Sequence, residues 1–239
     1  MKYRAVVPAL MMCIATQSGA QATHLPATPA STPPPKGPPS FFVTSNGLGK
    51  GGDLGGLAGA DRHCQALATA AGYGNRTWRA YLSVQPTRRH GPVNARDRIG
   101  KGPWFNVEGF RIAAGLSDLH GDTAEAARNG NLIAHATALT EKGEVIAGEG
   151  ESPKFHDILT GSRSDGRAYL DSVDHTCSNW TQGGPDGSAQ VGHSDRNTRR
   201  TSISWNSAHE TLGCSPEKLA ASGGSGLFYC FAADTPDSG

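Results

Sequence analysis

Arginine suits a sulfate or carboxylate better than any other side chain, because its guanidinium presents a rigid fork of donors that stays charged. The sequence gathers Arg88, Arg89, His90, Arg96, Arg98, Lys101 and Arg111 into one segment and adds Arg199 and Arg200 further on. Brought together in space, these residues would grip an anionic polysaccharide. Set among Asp97, Asp118 and other acids, they would instead form a solvated face with local ion pairs, and Asp97–Arg98 reads as one such structural pair. Trp180 and Trp205 lie close in sequence to Cys177 and Cys214. An exposed indole there would stack on a sugar ring or anchor a protein partner, whereas a buried one would pack over a disulfide. The candidate ligand-binding residues are therefore Arg88, Arg89, Arg96, Arg98, Lys101, Trp180 and Trp205.

Other groups carry weaker signals. His175, His193 and His209 lie among Asp171, Asp174, Asp186, Asp195 and Glu210, a mixture of nitrogen and oxygen donors suited to zinc or calcium. No HExxH pair or calcium-loop spacing accompanies them, so no metal or other cofactor is assigned. Ser194 beside His193 and Asp195, or Ser207 near His209, can be drawn as triads, but adjacent residues rarely converge that way and no Gly-x-Ser-x-Gly elbow occurs. A hydrolase is thus the least favoured reading. In the glycine-rich run 47–59, Gly49-Lys50 is followed by Gly51 rather than Ser or Thr. Tight turns and close backbone approach explain it better than a phosphate loop.

These residues sit in a chain built for export. Lys2 and Arg4 precede an apolar run and the small-x-small site Ala20-Gln21-Ala22, the pattern of a secretory signal peptide over 1–22. The competing expectation is a lipid anchor at Cys13. Loss of 1–22 leaves 217 residues and takes the formal charge from +1 to −1, which gives no global drive toward nucleic acid or membrane. Residues 23–40 are rich in Pro, Thr and Ser and read as an extended tether. The domain is expected over 41–233, followed by a fraying tail over 234–239. No later segment has the roughly 20 apolar residues of a transmembrane helix.

Four cysteines remain after the leader, Cys64, Cys177, Cys214 and Cys230. Export and an even count favour two disulfides, and the absence of a CxxC pair weakens a metal cluster. Spacing alone leaves all three pairings open.

Strands are expected at 41–44, 78–84, 155–160 and 226–233, with a short one at 202–205 and a strand edge within 131–141. A first helix places Ala60, Cys64, Leu67 and Ala71 on one face. Residues 112–119 suggest a short helix or irregular chain, and 85–105 a loop. The composition fits an α+β domain with few helices, short strands and long loops.

Several short motifs follow in a familiar order: Gly55 to Asp61, Cys64-Gln65, Trp78 to Ser83, Asp97-Arg98, Trp104-Phe105-Asn106, Leu159 to Gly161, Cys177-x-x-Trp180, Cys214 and Leu227 to Phe231. Over nearly all of 41–233 the chain resembles the endostatin-like domains, including their bacterial secreted and lipoprotein branch, whose fold is related to C-type lectins. The resemblance implies pairing of Cys64 with Cys230 and of Cys177 with Cys214. It also implies a helix against a twisted, mainly antiparallel sheet, with long loops forming the opposite half. Trp205-Asn206 looks like part of the lectin Trp-Asn-Asp signature, but Ser207 replaces the aspartate and removes one hard oxygen ligand for calcium. The expectation is a noncatalytic domain, secreted or periplasmic, that binds an anionic glycan or a surface protein. The runner-up is a structural envelope protein making only protein contacts.

Overall fold

The computed structural model of the chain describes residues 36–123, 130–196 and 204–233. The chain divides into two units, Met1–Pro33 and Pro34–Gly239, and everything below belongs to the second. The leader, Cys13, most of the tether, the 234–239 tail, Arg199, Arg200 and the first half of the 202–205 strand lie outside the described residues.

β8 (Gly224–Ala232) organises the molecule because it is apolar on both faces. Phe228, Cys230 and Ala232 face one core, and Leu227, Tyr229 and Phe231 face the other. Such a strand must be covered on both sides. β1 (Phe41–Val43) pairs with it antiparallel, Phe41 opposite Phe231 and Phe42 opposite Cys230. β2 (Trp78–Ala80) pairs antiparallel with its C-terminal part. β3 (Trp104–Phe105) and β4 (Arg111–Ala113) form a separate two-stranded sheet. β5 (Asp157–Leu159) pairs with the first half of β8 in parallel, so the sheet is mixed, not wholly antiparallel. β6 (Gln190–His193) and β7 (His209–Glu210) extend it by antiparallel pairing, giving the order β1-β8-β5-β6-β7 with β2 also on β8.

The helices are short apart from α1 (Gly56–Ala70). Its buried positions are Gly59, Ala60, Asp61, Cys64 and Ala68, so the inward face is rotated slightly from the one the sequence suggests. Small residues line it because the helix lies close to β2, and Cys64 bonds Cys230 of β8. The 112–119 segment divides between β4 and α2 (Leu116–His120). α3 (Pro216–Ser222) carries its own punctuation: the Ser215 side chain accepts from the Lys218 N–H, Pro216 opens the helix, and Gly223 at φ 115° closes it.

Two boundaries differ from expectation. The strand from Trp78 ends at Ala80, where the Leu82 N–H turns back to the Ala80 carbonyl at 3.0 Å. The packed domain starts before Phe41, since Gly37 N–H donates to Gly109 O and Ser40 exchanges bonds with Phe105 through both its N–H and its Oγ.

The second disulfide, Cys177–Cys214, anchors an unusual feature. Cys177, Ser178, Asn179 and Trp180 all have positive φ, between 47° and 67°, a full left-handed turn without glycine. Each such residue costs about 1–2 kcal/mol. Local bonds offset this: Asn179 N–H donates to Thr176 Oγ1, Ser178 N–H donates to the Asp174 carboxylate, and Trp180 N–H donates to Thr176 O at 2.7 Å.

Candidate functional site

The basic segment separates into two populations. Arg96 is buried; its guanidinium clasps the Asp122 carboxylate at 2.6 and 3.2 Å and donates to Asp165 O at 2.7 Å. That hydrogen bond holds Asp122 below the ordinary carboxylate range. Arg98 reaches back to α1, where its Nη2 meets both Asp61 oxygens at 2.6 and 2.8 Å, and its Nη1 donates to Ala80 O. Asp61 also accepts the Ala80 N–H, so this ion pair ties α1 to the end of β2. The partner of Arg98 is therefore Asp61, not Asp97, whose carboxylate accepts from Asn94. Arg96 and Arg98 are structural and not available to a ligand as sequence reasoning had them.

Arg88, Arg89 and Lys101 are exposed. Arg88 and Arg89 sit on a tight turn in which Thr87 N–H donates to His90 O at 2.8 Å and Thr87 Oγ1 accepts from the Arg89 and His90 N–H groups. Among the described residues neither guanidinium is in an ion pair.

Both tryptophans are interior, which corrects their reading as a stacking platform. Trp180 is 0% exposed, lies in the core with the Cys177–Cys214 bridge, and donates from Nε1 to Ser83 O at 2.7 Å. Trp205 is 3% exposed, packs on Tyr81 and Tyr229, and donates to Leu119 O at 3.1 Å. Asn206 is also occupied: its Nδ2 donates to Tyr81 Oη and to the Arg163 and Ser164 carbonyls. The Trp-Asn pair is a buried brace here, and Asn206 Oδ1 accepts from Ser204 Oγ at 3.1 Å. Tyr81 in turn meets His120 Nε2 at 2.8 Å. Burial pushes the His120 imidazole down to about 4, against a hydrogen bond to Leu116 O.

The histidines regroup. His175 stacks on Tyr169 at 3.8 Å and pairs with Asp171 and Glu210. His193 and His209 converge instead on Asp157, a residue the sequence suggested only as part of a strand. Sheet register does this. Asp157 of β5 lies directly opposite His193 of β6. His209 of β7 lies opposite Val191, two residues before His193 and so on the same face. The Asp157 carboxylate is 1% exposed. His193 Nε2 stands 3.3 Å and His209 Nε2 3.5 Å from its Oδ1, and His156 Nε2 is 3.3 Å away. None of these contacts has hydrogen-bond alignment, and both carboxylate oxygens lack a hydrogen-bond partner among the described residues. Burial pushes the Asp157 carboxyl up, but the facing His193 and His209 outweigh it and hold it below its ordinary range. His156 is fixed from behind by Asp195, with Nδ1 to Oδ1 at 2.8 Å, and stacks on His193 at 4.3 Å.

Ser194 and Ser207, the serines of the drawn triads, face the His156 carbonyl and the Tyr169 hydroxyl respectively, both at 3.5 Å. His156 and Asp157 escaped sequence reasoning because two adjacent strand residues look unremarkable. The available signal was an ionisable His-Asp pair inside an otherwise apolar strand, where a charge needs a specific partner. No helix among the described residues is long and apolar enough to cross a membrane. Comparison of the sequence with protein-family models and with curated proteins finds no match.

Proposed function

We propose that this chain is an exported, noncatalytic binding module of lectin-like architecture, and that its ligand is an anionic glycan met through the Arg88–Arg89 turn. The supporting observation is the contrast within the basic segment. Arg96 and Arg98 are consumed by Asp122 and Asp61, while Arg88 and Arg89 are exposed and unpaired among the described residues. A guanidinium pair on a turn whose backbone is already braced offers forked donors to sulfate or carboxylate. The motif order over 41–233 supports the endostatin-like reading. Two disulfides fit an oxidising compartment outside the cytoplasm. Calcium-dependent sugar recognition is not part of the proposal, because Ser207 brings no carboxylate where the lectin signature has one.

A protein ligand is the second reading. Leu170, Val173 and Leu212 are each more than half exposed, at 67%, 53% and 65%, which favours apolar contacts. Retention on an immobilised sulfated glycan, eluted with salt, separates the two. The expected result is elution at moderate salt for the wild type and markedly earlier elution for Arg88→Ala/Arg89→Ala. Equal retention of the double variant, or equal binding to a neutral glycan, would refute the glycan proposal.

A further inference from the structure

Asp157 is a carboxylate at 1% exposure whose two oxygens accept no aligned hydrogen bond among the described residues, and the groups that face its Oδ1 at 3.3–3.5 Å are three imidazole nitrogens. We propose that Asp157, His193 and His209 form a site for a zinc-class divalent cation, bound through Asp157 Oδ1 and the two Nε2 atoms, with the fourth position open to water or an exogenous donor. The inference is independent of the glycan reading, because it uses a different region of the fold.

Three observations carry it. First, the donor atoms already have suitable spacing. In a tetrahedral site with bonds of about 2.0–2.1 Å, neighbouring ligand atoms stand about 3.3–3.4 Å apart. Oδ1 of Asp157 is 3.3 Å from His193 Nε2 and 3.5 Å from His209 Nε2, and all three donor atoms lie within 4.8 Å of one another. Second, the residues come from three adjacent strands whose register fixes them, so the donors are held by main-chain pairing, not by a mobile loop. Third, a supporting layer surrounds the donors. His156 packs on the His193 ring and reaches Asp157, while Asp195 holds its Nδ1. The nearby Lys154 pairs with Glu149. Outer groups that orient first ligands in this way are typical of metal sites.

The chemistry selects the ion class. Two imidazoles and one carboxylate suit zinc and its neighbours, while calcium and magnesium prefer an all-oxygen shell with more ligands. His209 provides access: its side chain is 41% exposed, whereas Asp157 and His193 are at 1% and 8%.

The test is calorimetric titration of the chelator-treated protein with zinc chloride, followed by cobalt substitution. One equivalent is expected to bind, calcium in the millimolar range is expected not to compete, and the cobalt form is expected to show the intense visible bands of a four-coordinate ion. His209→Gln and Asp157→Asn should each weaken zinc binding by at least about tenfold, as loss of even an outer-shell partner commonly does. His90→Ala, on the exposed arginine turn, should bind like the wild type. Near-UV circular dichroism checks that the variants fold. If Asp157→Asn does not fold, the half-exposed His209→Gln still decides the question. Absence of saturable zinc uptake, uptake unaffected by His209→Gln, or displacement of zinc by calcium would overturn the site and leave a carboxylate–imidazole cluster.

Discussion

Arginines that look equivalent in sequence differ sharply in what their removal should do. The Arg98–Asp61 pair is nearly buried, with side-chain exposures of 12% and 11%, and Asp61 also anchors the Ala80 N–H. Deleting one member of such a pair leaves an uncompensated charge, a loss of about 3–5 kcal/mol. Asp61 keeps a half-exposed partner in Arg79, so the low end applies. Arg98→Ala is therefore expected to cost about 3 kcal/mol and to lower the melting temperature by on the order of 10 °C. Arg88→Ala should stay within about 0.5 kcal/mol of wild type. Chemical denaturation of both variants checks the contrast, and equal destabilisation would remove the distinction between structural and exposed arginines.

Elements act through register and close approach. β6 brings His193 against Asp157 only because Gly192 lets the strand pass next to the Trp205 segment. A β-carbon at Gly192 would stand 1.8 Å from Trp205 O and 2.1 Å from its carbonyl carbon, both main-chain atoms that cannot swing aside. Trp205 is itself pinned by its hydrogen bond to Leu119 O and by a tilted ring contact with Tyr81. Gly192→Ala is expected to destabilise by about 3 kcal/mol, the upper end of ordinary overpacking, with backbone displacement on both sides of the contact. A melting temperature within a degree or two of wild type would show that β6 and the Trp205 segment are not locked together.

At the scale of the whole molecule, long loops surround a modest set of regular elements, and covalent ties compensate. Cys64–Cys230 spans 166 residues and Cys177–Cys214 spans 37. Restriction of the unfolded chain alone corresponds to about 5 and about 4 kcal/mol respectively. Cys177→Ser/Cys214→Ser should therefore lower stability by about 4 kcal/mol, with the extra loss of the bond that secures the left-handed turn. Urea unfolding under oxidising conditions measures it. An unchanged midpoint would mean that burial, not the crosslink, holds the 177–214 region.

Residue types and local patterning indicated the number of bridges and the main apolar strands, while the pairing of the cysteines stayed open to spacing alone. An expected export leader and an even cysteine count pointed to two bridges, while alternating and continuous apolar runs located β1, β2 and β8, since burial writes itself locally as periodicity. Which polar residues are exposed and which are spent on internal partners emerges in the folded chain alone. Arg96 and Arg98 differ from Arg88 and Arg89 because Asp122 and Asp61 reach them from distant parts of the chain. Asp157 meets His193 and His209 from 36 and 52 residues away through strand register. An ion pair or ligand set depends on separations of a few ångströms between side chains far apart in sequence, and no local pattern of residue types encodes that distance.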